Sequence, residues 1–135
     1  MRHISLILLT LPDGKIVFQR RGKEAPRSPN MLGLFGGHVD TGESYDDAMA
    51  RELGEETSLD LHSLQWAFVQ DYELMPDSQS PATFHLYWAE IPNADFEVDK
   101  REAQGAEVYT RAEALARNDL APSCRYALTN ILKEK

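Results

Sequence analysis

Glu52, Glu55 and Glu56 stand at positions i, i+3 and i+4, the spacing that sets three carboxylates side by side within one turn of an α-helix. Like charges at that spacing repel by roughly a few tenths of a kcal/mol per pair on an exposed helix, and by more when desolvated. A cation would offset the repulsion. The set is all oxygen, with no cysteine nearby and His38 the only histidine close in sequence, which favours a hard ion, magnesium or manganese, over zinc. Such an ion lowers the pKa of water, orients it and neutralises charge on a phosphate leaving group. Taken alone, the stripe reads as the solvated face of an ordinary helix, so its setting decides. An EF-hand calcium site is excluded, because its ligands alternate along a loop.

The helix spans about Ser44 to Glu56. Ser44 is a good N-cap, with Asp47 at the third helical position, close to a capping box. Met49, Ala50 and Leu53 share one apolar side at about 100° per residue, and the glutamates lie on the adjacent stripe. Ahead of the helix runs the glycine-rich segment Leu32–Val39, with Gly33, Gly36 and Gly37. Ile4–Thr10 and Lys15–Arg20 are β-prone runs around Leu11-Pro12-Asp13-Gly14, a turn in which Pro presets φ and Gly accepts positive φ, so a hairpin is expected. Arg21–Gly33, with Pro26 and Pro29, reads as a loop. Leu64–Leu74 and Thr83–Ile91 read as strands, Pro92–Gly105 as acidic and irregular, Glu107–Thr110 as a short strand, Arg111–Arg117 as a helix and Ser123–Lys133 as a last helix. Strands interrupted by helices indicate an α/β fold with a mixed central sheet.

Gly37, Glu43, Arg51, Glu52, Leu53, Glu55, Glu56 and Leu59 stand at the spacing G-x5-E-x7-R-E-U-x-E-E-x-G-U, where U is a bulky aliphatic. This resembles the Nudix box, the signature of the Nudix hydrolases. Six polar or glycine positions match, and at background frequencies chance agreement is on the order of 10⁻⁷ to 10⁻⁸ per register. The box covers 23 residues; the order hairpin, box, strands and terminal helix resembles MutT-like members over most of the chain. Two positions depart. Ser58 occupies the last glycine position, where altered loop geometry is expected, and Phe35 stands where many members have proline.

The resemblance implies a Nudix fold, an α/β/α sandwich, formed by residues 1–135 as one domain. It implies that Glu52, Glu55 and Glu56 bind one to three divalent ions, Mg²⁺ or Mn²⁺, often joined by the carbonyl at Gly36, and that Glu52 is either general base or pure ligand. Arg51 and Glu43 would form a salt bridge tying the box loop to its helix. Arg20 and Arg21 fall where MutT-like members approach substrate, either meeting phosphates or ending the strand as solvated charges. Phe35, Tyr72, Phe84, Tyr87 and Trp88 supply either a stacking wall or core. For a fourth carboxylate, Glu97, Asp99, Glu102 and Glu107 compete. Glu102 is the choice, because Arg101–Gln104 followed by Glu107–Tyr109 resembles the relevant loop in MutT-like relatives, whereas Glu97 and Asp99 lie in a segment expected to be mobile.

The implied activity is hydrolysis of a phosphoanhydride bond in a nucleoside di- or triphosphate derivative, the substrate being a small nucleotide-type molecule; the alternative is a catalytically silent nucleotide-binding module, which should have lost some of the carboxylates. Dimers are common among relatives, so the resemblance allows a homodimer. Length and composition agree. The chain has 135 residues, 42% apolar and 27% charged, as suits a soluble globular protein. A net charge of −8 argues against a surface for duplex nucleic acid. No apolar run approaches the roughly 20 residues that cross a bilayer, and Ile4–Leu9 reads as a first strand rather than a signal peptide. The single cysteine, Cys124, is compatible with a reducing cytoplasm.

Overall fold

The computed structural model describes residues 2–75, 81–101 and 103–131. At its centre is β1 (Arg2–Thr10), whose apolar run Ile4–Leu9 is buried throughout, as a strand covered on both faces requires. Its even residues Ile4, Leu6 and Leu8 enter one core with Ala114, Leu120, Cys124, Ala127 and Leu128. Its odd residues Ile7 and Leu9 enter a second core with Met49, Leu53 and Leu61. This two-residue alternation makes the layers. Helix α1 (Tyr45–Glu56) covers one face of the sheet, and α2 (Arg111–Leu115) and α3 (Pro122–Tyr126) cover the other.

The remaining strands are β2 (Ile16–Arg21), β3 (Leu32–Gly33), β4 (Phe35–His38), β5 (Trp66–Leu74), β6 (Ala82–Glu90) and β7 (Ala103–Tyr109). The sheet runs β3-β2-β1-β6-β5, with β4 also on β1 and β7 also on β2. It is mixed: β6 lies parallel to β1, and the other pairings are antiparallel. The turn forms, with Gly14 N–H donating to the Leu11 carbonyl at 2.8 Å and Gly14 at φ 90°. The hairpin it closes is short. Only Leu9 and Thr10 of β1 face β2, at Val17 and Ile16; from Ile4 to Ile7 that edge of β1 belongs to β4. Strand β7 runs along the other edge of β2 from Ile16 to Arg21, and past Val17 β3 takes the edge that β1 leaves. A cleft opens where the two strands part.

Strand β7 starts near Ala103 rather than Glu107, so the stretch from Pro92 to Gly105 is less irregular than its composition suggests. Gly105 at φ 147° and a register shift between Arg20 and Arg21 break the alternation by which a strand is read. Within that stretch, Glu97 and Asp99 are docked. Asp99 N–H donates to the Glu56 carbonyl at 2.8 Å, and Ser58 exchanges two bonds with Glu97, N–H to carbonyl at 3.0 Å and amide to Oγ at 2.9 Å. The last helix ends at Tyr126 and continues as a π-helical turn over Ala127–Ile131; its expected end at Lys133 lies outside the described residues. No helix among the described residues is long and apolar enough to cross a membrane.

Candidate active site

Ser44 caps α1 by accepting from the Asp47 amide at 3.0 Å, and Ala48, Met49 and Leu53 are fully buried. Those contacts fix the rotation of the helix and so fix where its glutamates stand. Glu52 and Glu56, one turn apart, meet strand β4. The Gly36 amide donates to Glu56 Oε1 at 2.9 Å. A Cβ at Gly37 would lie 2.4 Å from the Glu52 Cδ, so glycine there leaves room for the carboxylate. At Gly36 the constraint is the backbone: φ is 140°, and a Cβ would lie 2.0 Å from the Ser5 carbonyl oxygen. The helix ends in Thr57, which is extended, with its hydroxyl donating to the Leu53 carbonyl at 2.8 Å. Ser58 is not left-handed, so the serine in the last glycine position of the box carries no backbone strain and instead binds Glu97.

Arg51 organises the charges around the helix. Its Nε and Nη2 donate to both oxygens of Glu43 at 2.8 and 3.0 Å, and Nη2 also donates to the His38 carbonyl at 2.9 Å. Its Nη1 donates to Glu52 Oε2 at 3.1 Å and Glu55 Oε1 at 3.4 Å. One guanidinium therefore joins the loop before α1 to two of the helix carboxylates and offsets their mutual repulsion. The Arg51 bond holds Glu43 well below the usual carboxylate range, at about 2.

Glu52 and Glu56 line a cleft of about 1260 Å³ between β1, β2 and the loop after β2; Glu55, half exposed, borders a neighbouring depression with Glu97 and Asp99. Among the described residues, no three Asp, Glu, His or Cys side chains converge as a finished cation cage. The donor chemistry still fits a hard cation: two carboxylates share the cleft wall, a third shares an arginine nitrogen with one of them, and the glycine at 37 keeps a side chain out of that space. Glu102 lies outside the described residues.

Apart from Glu24, the other charged side chains of the cleft are cationic. Arg2, Arg21, Lys23, Arg27, Lys100 and Arg101 line it, in a protein of net charge −8. Burial lowers Arg21 from its ordinary value; the Glu56 charge opposes this and the Arg27 charge adds to it. Burial first, then the charges of Arg2 and Arg27, lowers His38, with the Asp40 charge opposing them. Ile4, Leu6 and Phe84 supply apolar surface in the same cleft.

Of the residues expected at substrate, Arg21 and Phe84 line the cleft, and Arg20 and Phe35 do not. Arg20 donates to both oxygens of Glu107 at 2.7 and 2.9 Å and to Asp119 at 2.9 Å, because alternation along β2 turns it to the opposite side from Arg21. Phe35 is fully buried beneath α1, edge-on to Phe96. Glu107 is engaged by Arg20 and so stands away from the glutamates. Tyr72 and Tyr87 are core, and Trp88 packs against it with its Nε1 donating to Thr10 Oγ1 at 2.9 Å. Sequence reasoning missed Arg2 and Arg27. Arg2 was legible as the even-numbered companion of Ile4 and Leu6; Arg27, between two prolines in a loop, had no periodicity to reveal it.

Comparison with known proteins agrees with this geometry. The human NAD-capped RNA hydrolase NUDT12 is 30% identical over 104 residues, 77% of this chain and 21% of that protein. The chain spans about a fifth to a quarter of the length of such curated relatives. The crystal structure of DR0079 from Deinococcus radiodurans superposes with a TM-score of 0.85 at 21% identity, covering 96% of this chain and 82% of that one. The MutT Nudix hydrolase from Burkholderia pseudomallei superposes with a TM-score of 0.76 at 23% identity, covering 94% and 95%. A family model, the NUDIX domain, matches residues 1–130. With its box helix set against Gly36 and Gly37 at the mouth of a cationic cleft, this chain belongs to the Nudix hydrolase family.

Proposed function

We propose that the protein hydrolyses a phosphoanhydride bond in a nucleoside di- or triphosphate derivative, with Glu52, Glu55 and Glu56 holding magnesium, or manganese in its place. The observation that carries this reading is the pairing of Glu52 and Glu56 with the side-chain-free strand Gly36-Gly37 on the wall of a cleft lined by arginines and lysines. The bound cation supplies charge neutralisation at the diphosphate and acidifies water. The chain's own residues do the rest. Arg21, half-buried and close enough to feel the Glu56 charge, would supply positive charge to the diphosphate. Glu52, oriented by Arg51, is placed either to take a proton from the attacking water or to serve only as a ligand. Water adds to one phosphorus as the bridging P–O bond breaks, the bridging oxygen leaving with the other phosphate. The relative named a NAD-capped RNA hydrolase supports a nucleotide-derived substrate. A reducing cytoplasm suits the chain's buried, unpaired Cys124.

The test is a panel of nucleoside triphosphates, dinucleotides and nucleotide sugars incubated with magnesium, with products followed by ³¹P NMR. At least one should be split at a diphosphate, and Glu56→Gln should lower that turnover by two orders of magnitude or more. Saturable nucleotide binding with no cleavage of any compound would make the protein a binding module instead.

A further inference from the structure

Arg27 lies in the loop between β2 and β3 and is one of the residues that line the cleft. Its Nε and Nη1 are shielded from solvent and donate to no partner among the described residues. Burying a charged donor without a partner is unfavourable, yet the loop is built to keep it there. The Gly22 carbonyl accepts from the Ala25 and Asn30 amides, each at 3.2 Å, and the Ser28 carbonyl accepts from Met31 at 3.3 Å. Arg21 Nε donates to the carbonyl of Arg27 itself at 2.9 Å, and Gln104 Nε2 donates to Asn30 Oδ1 at 2.8 Å. Ser28 and Asn30 are both left-handed, at φ 49° and 63°. Strained backbone of this kind persists where its surroundings over-determine it, and it gathers at ligand clamps.

The neighbourhood of Arg27 is itself positive. Its charge lowers the proton affinity of Arg2, Arg21 and His38, so like charges are held together with an anion's place among them. Arg2, Ile4 and Leu6 alternate on one face of β1, and Gly36 stands opposite Leu6. Arg2 is thus four residues, roughly 13 Å of extended chain, from the glutamate end. Between them the floor is apolar: Ile4 pairs with Phe84, and both line the cleft.

We propose that Arg27 anchors a second anion subsite, which receives a phosphate group of the substrate separate from the diphosphate handled at Glu52 and Glu56. Turned outward on phosphate binding, the planar guanidinium fork matches two phosphate oxygens at once, and the Ile4–Phe84 floor seats the apolar faces of the nucleoside between the two ends. The substrate class is therefore a nucleotide derivative that carries a phosphomonoester as well as its anhydride. The identity of the split bond rests on the hydrolase reading above; the affinity for phosphate does not.

The experiment is calorimetric titration of inorganic phosphate into the protein in EDTA, with chloride holding ionic strength constant. The wild type should bind phosphate saturably, Arg27→Gln should weaken that binding tenfold or more, and Arg27→Lys, which keeps the charge but loses the fork, should fall between. No saturable binding by the wild type, or equal affinity in the wild type and a folded Arg27→Gln variant, overturns the proposal. If Arg27→Gln fails to fold, unchanged affinity in Arg27→Lys overturns it instead. Arg27-dependent phosphate binding in a protein that splits no nucleotide would leave the subsite standing and remove the hydrolase reading.

Discussion

A methyl group added at Gly37 would come within 2.4 Å of the Glu52 carboxylate carbon, whereas one added at Gly36 would stand 2.0 Å from the Ser5 carbonyl oxygen. The first obstacle is the far end of a flexible side chain, and the second is the backbone of the central strand. Gly37→Ala should therefore fold with nearly the wild-type melting temperature while losing at least tenfold in turnover, because the carboxylate is displaced. Gly36→Ala should lose about 2–4 kcal/mol of stability, from a strained φ and a clash that side-chain rotation cannot relieve. Urea denaturation together with a hydrolysis assay separates the two. Equal stability losses in both variants would contradict this division of labour. The glutamates themselves were legible in sequence, because helical spacing places i, i+3 and i+4 together without reference to the rest of the fold.

Between elements, Arg20, which sequence position had suggested for substrate, serves instead as a tie. It ties β2 to Glu107 of β7 and to Asp119, beyond α2, and Asp119 is held in turn by Arg117 at 2.9 Å. These bonds pull both carboxylates below their ordinary values: the Arg20 bond is the main cause at Glu107, and the Arg117 bond followed by the Arg20 bond at Asp119. A depressed carboxylate contributes stability that is fully present above its unfolded value, near 4, and is lost as pH falls through the lower folded value. Arg20→Gln should thus lower the urea midpoint at pH 7, and the gap from the wild type should narrow as pH is taken from about 4 towards 2. A gap that stays constant or widens on acidification would rule the network out as its source. Adjacent residues of a strand face opposite ways, so Arg20 and Arg21 could not both reach one cleft. The sequence left open which did, because the register of β2 against β7 depends on a bulge that no short-range pattern records. The fold was more legible than its edges: β1, β5, β6 and α1 fall close to where the sequence puts them, while β7 hides behind Gly105.

On the scale of the whole molecule, the proposed cation binding would be coupled to folding, since the unfolded chain has no carboxylates gathered on a helix. A ligand that binds only the folded form adds RT ln(1 + [L]/Kd), about 2.7 kcal/mol at a hundredfold excess over Kd. Magnesium with a non-hydrolysable nucleotide should raise the melting temperature by several degrees, and Glu56→Gln should abolish most of the rise. A melting temperature indifferent to both together would count against metal binding at these glutamates.

The parallel alignment of β1 with β6 runs along the whole nine-residue length of each. Residues 2–10 therefore wait for residues 82–90 before the middle of the sheet exists, and closing so long a loop makes for slow folding. During vectorial synthesis the apolar run Ile4–Leu9 emerges ahead of β6 and stays unpaired on that side while the roughly 70 residues between the two strands are made. The box helix is finished well before then, so its glutamates are complete in covalent terms before there is a scaffold to hold them. A chain released after residue 75 should be digested by protease as readily as an unfolded polypeptide, while the full chain resists; a protease-resistant fragment of that length would show that the first half folds unaided. Until β6 arrives, a nascent chain carries an open hydrophobic edge, and the period of greatest exposure to misassociation falls between the making of the glutamates and the arrival of their support.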